Sequence, residues 1–193
     1  GDPYCYLDGP VTFTYTTPGG GRKTPVSVGT KGCPTAVSDT TLRQGTRVRK
    51  YQDGAKLLEV TFKDNRAEGR VVRYHRNGSK SSEVTYKDGR CEGLYLEWHE
   101  NGERKTRCSY RNGRVNGRVH HWHANGTKSS EFTCRDGRRV GRYQAWHEDS
   151  TRAQECTYRD GRLDGELIMW RTDGSVSKRC TYREGRLLEC KEE

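Results

Sequence analysis

Four histidines, His75, His99, His123 and His147, recur at intervals of 24 residues, and His120 and His121 complete the set of six. Imidazoles in a fixed pattern are the side chains of metal sites and proton transfer. A fixed interval places neighbours about 10 Å apart if each repeat adds two strands to a sheet, too far to share one ion. Only His121 and His123, two residues apart on one strand face, could chelate together. The alternative use is structural: a histidine that hydrogen-bonds beside a turn in every repeat. Repetition alone accounts for the recurrence, so no metal and no cofactor are expected. Glu59, Glu83, Glu131 and Glu155 also share one position of the repeat, which Arg107 and Arg179 occupy in other copies. Paired carboxylates can hydrolyse glycosides, but catalysis needs a singular pocket and a ladder supplies none. Cross-strand Glu–Arg pairing is the expected use. The chain has no glycine-rich phosphate loop entering a helix, no Ser-His-Asp order and no single activated cysteine. It is not expected to be an enzyme.

The basic residues follow the same period. Arg90, Arg114, Arg138, Arg162 and Arg186 each follow a turn dipeptide ending in glycine, and Lys87, Arg111, Arg135, Arg159 and Arg183 lie three residues before them. They predict a basic ridge along one edge of a sheet. The whole chain carries a net charge of +10, from 36 Lys and Arg against 26 Asp and Glu. Such a ridge suits an anionic partner, whether acidic protein, lipid headgroups, glycan or nucleic acid. It would equally serve as a solvated edge that blocks sheet-to-sheet aggregation. Specific nucleic-acid recognition is not expected, because the aromatic residues that would stack on bases are needed for the core.

The elements that position these residues follow from the period. Gly45, Gly69, Gly93, Gly117, Gly141 and Gly165 are 24 residues apart, as are Tyr74, Trp98, Trp122, Trp146 and Trp170. Two turn signals divide each unit, an Asn-Gly (Asn77-Gly78, Asn101-Gly102, Asn125-Gly126) and an Asp-Gly or Asn-Gly (Asp88-Gly89, Asn112-Gly113, Asp136-Gly137, Asp160-Gly161). Both favour the positive φ of tight hairpin turns. The runs between them are rich in Thr, Val and aromatics, as strands are. Only 30% of the chain is apolar, while Gly contributes 23 residues. No window approaches the roughly 20 apolar residues of a transmembrane helix, and a deep globular core is excluded. With 11 Tyr, 4 Trp and 3 Phe, a disordered coil is excluded too. The expectation is an all-β fold: an elongated single-sheet meander of six 24-residue β-hairpin repeats over residues 45–188. Residues 1–44, rich in Pro and Gly, form an N-terminal capping segment, and 189–193 a short acidic tail. A β-solenoid is the alternative geometry. Strand alternation assigns Leu94, Leu96 and Trp98 to one side, with the aromatic stripe formed by Val84 and Tyr86. Tyr95, His99, His121, His123, Tyr143 and His147 are then expected on the polar, partner-binding face. The Trp column is expected to be the buried core.

Eight cysteines occur, none in a C-x-x-C pair, so zinc and redox spacings are absent. Disulfides in an exported protein and buried free thiols are the two uses. In a meander, equivalent positions of adjacent repeats are two strands, roughly 9.6 Å, apart, which disfavours Cys156–Cys180 because a disulfide cannot span that distance. Cys180 and Cys190 flank a turn and could face each other; Cys5 and Cys33 both lie in the cap. These are the preferred bridges, and the pairing of Cys91, Cys108, Cys134 and Cys156 stays open. The cysteines favour a periplasmic or extracellular location with a signal already removed, the cytoplasm being the alternative.

The words Y-H-R-N-G-S-K (Tyr74–Lys80), E-V-T-Y-K-D-G-R-C-E-G (Glu83–Gly93), W-H-E-N-G-E-R-K (Trp98–Lys105) and W-H-A-N-G-T-K (Trp122–Lys128) resemble the MORN-type repeat. They most closely resemble its bacterial variant, the YwqK-like antitoxin repeat. The resemblance covers Gly45 to Leu188. It implies an immunity or antitoxin protein that neutralises a partner toxin by protein–protein interaction; a non-enzymatic monomer is expected. The alternative, carried by the cysteines and the charge, is an exported envelope or surface module that adheres to anionic polymer, glycan or lipid.

Overall fold

The computed structural model describes residues 44–193 and two short strands before them, β1 (Thr12–Phe13) and β2 (Val26–Ser27). β1 and β2 pair with each other antiparallel. The remaining strands are β3 (Gln44–Lys50), β4 (Lys56–Lys63), β5 (Arg66–Ala67), β6 (Gly69–Tyr74), β7 (Lys80–Lys87), β8 (Arg90–Trp98) and β9 (Arg104–Arg111). They continue with β10 (Arg114–Val115), β11 (Gly117–Trp122), β12 (Lys128–Arg135), β13 (Arg138–Trp146), β14 (Arg152–Arg159), β15 (Arg162–Trp170), β16 (Val176–Arg183) and β17 (Arg186–Glu192). These 15 strands form one open sheet in sequence order, every pairing antiparallel. The short β5 and β10 are the first ends of strands that resume as β6 and β11. The sheet is therefore the expected meander and not a solenoid, whose coils would pair in parallel. β17 runs to Glu192, so the acidic end expected as a tail is the last strand.

The two turns of each unit differ. At one edge the pairs Asp64-Asn65, Asp88-Gly89, Asn112-Gly113, Asp136-Gly137, Asp160-Gly161 and Glu184-Gly185 have positive φ at both residues. This is the two-residue hairpin turn whose twist matches the strands. At the opposite edge only one residue per turn is left-handed, a glycine as at Gly78 with φ 83°, or Ser150 with φ 69°. There the loop is longer, closed by His75 N–H donating to Ser79 O at 2.8 Å. Asn77 uses its side chain instead of a left-handed backbone: its Oδ1 accepts the Ser79 N–H at 2.9 Å.

A bulge midway along one strand of each unit shifts the pairing register. Gly93 has φ 77°, a conformation that costs glycine little. Tyr86 lies opposite Cys91 and Thr85 opposite Glu92, but Val84 lies opposite Tyr95, so Gly93 and Leu94 are extra residues on β8. Two residues are one full period of the pleat, so the alternation keeps its sides: Cys91 and Tyr95 share the face of Tyr86 and Val84. Tyr95 and Tyr143 therefore belong to the apolar face and not to the expected polar one: Tyr95 sits opposite Val84 and Cys108, and Tyr143 opposite Cys156. Both pack against the core cluster.

That core is built from Val60, Phe62, Val84, Tyr86, Cys108, Tyr110, Phe132 and Cys134, none more than 5% exposed. The Trp column is not in it. Trp98, Trp122, Trp146 and Trp170 are half-buried, and Trp122 stacks on His120, which lies opposite Glu131 on the other face. Apolar burial supplies roughly 1.5–3 kcal/mol per large side chain, so stability resides in the Val, Phe, Tyr and Cys columns. Phe132→Ala is expected to cost about 3–5 kcal/mol, and Trp122→Ala distinctly less, in urea unfolding followed by circular dichroism. An equal or larger loss for Trp122→Ala would reverse this assignment of the core.

Candidate functional site

The histidine column forms a ladder between turns. His75 Nε2 lies 2.9 Å from Trp98 O, His99 Nε2 2.9 Å from Trp122 O, His123 Nε2 2.9 Å from Trp146 O and His147 Nε2 3.1 Å from Trp170 O. A ring nitrogen facing a carbonyl must carry the proton and donate, so each Nε2 is committed to backbone. Asn77, Asn101 and Asn125 add a second rung, donating to Glu100 O, Ala124 O and Glu148 O. Tyr51 begins the same column, its hydroxyl donating to Tyr74 O at 2.9 Å. Arg171 ends it, with guanidinium bonds to Val176 O and Glu193 O. The column holds Tyr, four His and Arg; the two terminal members break the histidine pattern, and only the shared hydrogen bond relates them.

His121 and His123, considered together as chelators, have separate surroundings. β11 ends at Trp122 with a register shift after His121. His121 faces the core, its Nδ1 3.0 Å from Thr106 Oγ1 and its ring against Phe132. Its neighbour there is a residue the sequence reading passed over. Arg139 is 6% exposed and lies over Phe132, Tyr143 and Tyr158 at 4.4, 4.9 and 5.2 Å. It also donates to Tyr158 Oη at 3.1 Å. Its one signal in sequence is that Ala67, Cys91, Val115 and Leu163 occupy the same position of other repeats.

On the opposite face the glutamate column is occupied by cations. Glu83 accepts from Arg70 at 2.6 Å and Lys80 at 3.1 Å, Glu131 from Lys128 at 2.6 Å, and Glu155 from Arg142 at 2.9 and 2.8 Å. These bonds hold the carboxyls below the usual carboxylate range. The column thus pairs across strands at Glu83 and Glu155 and along its own strand at Glu83 and Glu131. Arg104 and Lys128 lie over Trp122 and Trp146 at 5.5 and 5.3 Å, so these indole faces are covered.

Cys180 and Cys190 face each other on β16 and β17 and form a disulfide. Cys91 is disulfide-bonded as well. Cys108 and Cys156 are free and buried, and Cys134 is buried. Burial pushes the Cys108 and Cys156 thiols up to about 12 and about 11, which makes them inert small hydrophobes. The Cys5–Cys33 pairing lies outside the described residues.

The basic ridge takes a definite form at the two-residue turns. Lys63 lies directly opposite Arg66, Lys87 opposite Arg90, Arg111 opposite Arg114, Arg135 opposite Arg138, Arg159 opposite Arg162 and Arg183 opposite Arg186. All twelve are exposed. Arg159 pairs with Asp164 at 2.8 Å, and Arg66 approaches Asp88 at 3.9 Å. Among the described residues no ion pair involves Arg90, Arg111, Arg114, Arg135, Arg138, Arg162, Arg183 or Arg186. The ridge is continuous because successive tips touch. Gly89, Gly113, Gly137, Gly161 and Gly185 N–H donate to Ala67, Cys91, Val115, Arg139 and Leu163 O, at 2.7–2.9 Å. A side chain on Gly185 would come within 3.4 Å of Arg162 Cβ; its absence lets the arginine stem lie along the next tip.

An open array of antiparallel hairpins joined tip to tip is the class these features define. Residues 67–88 and 92–112, from β5 through β9, match the MORN repeat variant. No curated protein matches the chain.

Burial first, then Arg139, Lys105 and His120, push His121 from 6.5 down to about 4. Between those values the unfolded chain binds the proton and the folded chain does not. The contribution of neutral His121 is therefore full above about pH 6.5 and is lost as pH falls toward 4. The urea midpoint should drop more for the wild type than for His121→Gln between pH 7 and pH 5; equal drops would show that His121 is not buried neutral.

Proposed function

We propose that this protein is a non-enzymatic binding module that uses its basic edge to hold an extended anionic partner. The observation that carries this is the pairing of like charges. Cations directly opposite each other in an antiparallel pair are destabilising, yet the arrangement recurs at six consecutive tips. Single charges would suffice to block edge aggregation. Doubling them favours a partner that supplies the missing negative charge. The six residues first grouped as a polar face do not favour that role: Tyr95, His121 and Tyr143 face the core, while His99, His123 and His147 are bonded between turns. The Cys180–Cys190 disulfide supports an exported setting, periplasmic or extracellular.

A second reading is the immunity protein, favoured by the W-H-x-N-G words that resemble YwqK-like antitoxin repeats. The partner would then be a toxin whose acidic surface meets the same edge.

Equal-charge variants test the site. Arg90, Arg114, Arg138 and Arg162 changed to Gln should weaken binding to polyglutamate and to a sulfated polysaccharide at least tenfold. The same change at Arg76, Arg104, Arg107 and Arg118 should weaken it little, and wild-type binding should fade as salt rises. Equal losses in the two variants would reduce the edge to bulk charge.

A further inference from the structure

The spacing of the cation pairs carries a statement about the partner's chemistry, and it rests on the anionic-partner reading above. Each pair closes a two-residue turn, so its two Cα atoms are about 4.5–5.5 Å apart and both side chains leave the same face. Two cationic groups so placed, two guanidiniums at four tips and a lysine with an arginine at Lys63–Arg66 and Lys87–Arg90, can donate to one oxyanion, in the short, charge-assisted bonds formed with carboxylate, sulfate or phosphate. Each tip is then one anion site. Adjacent tips are two strands apart, roughly 9.6 Å, and the Gly N–H to carbonyl bonds hold them together. The edge is a row of six anion sites at a fixed repeat.

A partner that occupies several sites at once needs anionic groups at that repeat along an extended backbone. A nucleic-acid strand places a phosphate about every 3.4 Å, so two of three would miss a site. An extended acidic peptide presents same-side carboxylates every two residues, about 6.6–6.8 Å, out of step after one rung. The tips also carry acids of their own, at Asp64, Asp88, Asp136, Asp160 and Glu184. They would repel a densely charged polymer while leaving room for a sparse one. A glycan with one acidic group per disaccharide has charges about one tip apart.

We infer that the basic edge binds a linear acidic glycan carrying one carboxylate or sulfate per disaccharide, with one anionic group between the two cations of each hairpin tip. Once the first group is seated, the next is held near its own site, so affinity grows with chain length without new kinds of contact.

The test is calorimetric titration of the intact protein with oligosaccharides of alternating uronic acid and neutral amino sugar, from one disaccharide upward. Affinity should rise at least threefold per added disaccharide, up to about six. It should exceed that for polygalacturonate of equal length, which bears a carboxylate on every sugar. Removing one pair, Arg111→Gln with Arg114→Gln, should halt the rise for chains that must cross that tip. The variant should melt no lower than the wild type, since a like-charge pair is lost. Flat affinity with length would overturn the inference. So would DNA, polyglutamate or vesicles containing a fifth anionic lipid binding as tightly per charge as the glycan; the edge would then still be an anion site, but not a glycan-matched one. Failure of every polyanion to bind in a salt-sensitive way would overturn both this inference and the reading beneath it.

Discussion

Each hairpin is tied to the next at both edges by a hydrogen bond that crosses two strands, and the rest of the structure depends on these ties. At the tight turns the donor is a glycine N–H; at the longer turns it is a histidine ring in four copies and the Tyr51 hydroxyl in the first. Neither bond is strong, worth about 1 kcal/mol net in a typical case. Their effect comes from position. A long single sheet twists and slips easily, because strand pairing alone leaves the turns free to splay. Fixing every turn to its neighbour sets the spacing of the units, brings the kinked segments together, and keeps the apolar columns in contact. Low apolar content is therefore enough: each unit buries a few side chains against the same few in the next.

The same constraint explains where charge and polarity are tolerated. On one face the glutamate column is neutralised by Arg from neighbouring strands and by Lys three residues along the same strand. On the core face Arg139 is accepted because three aromatic rings surround it, where an aliphatic wall would leave its charge unsolvated. At the tips the paired cations stay in water, which screens them. The last hairpin has no neighbour on its far side among the described residues, and there Leu187 and Leu188 are 50% and 54% exposed. Different devices hold that strand: the Cys180–Cys190 bridge, and Arg171, whose longer reach replaces the histidine rung.

Much of this was legible in the amino-acid order. The 24-residue period, the paired turn signals and the Thr- and aromatic-rich runs imply an antiparallel meander, and Cys180 and Cys190 fall across one turn. The basic edge follows from the same spacing, because residues flanking a two-residue turn must lie opposite each other. The cross-strand use of Glu83 and Glu155 was equally readable, as a charge column facing cations of the next strand.

The faces were not legible, for a physical reason. Alternation tells which residues of a strand share a side but not which side meets the core; cross-strand register decides that, and it sets Tyr95 opposite Val84 and Cys108. Tyr95 and Tyr143 pack on the core on that side, and the Trp column is half-buried on the other. Nor could the sequence tell which atom each histidine would meet, since Trp98 O and its equivalents reach His75 and its equivalents only through turn geometry two strands away. Local order by itself determined the units, their turns and their edge charges, because those depend on neighbours along the chain. The tertiary structure alone decided which face is buried and which polar groups are already spent, because those depend on register and on contacts between units.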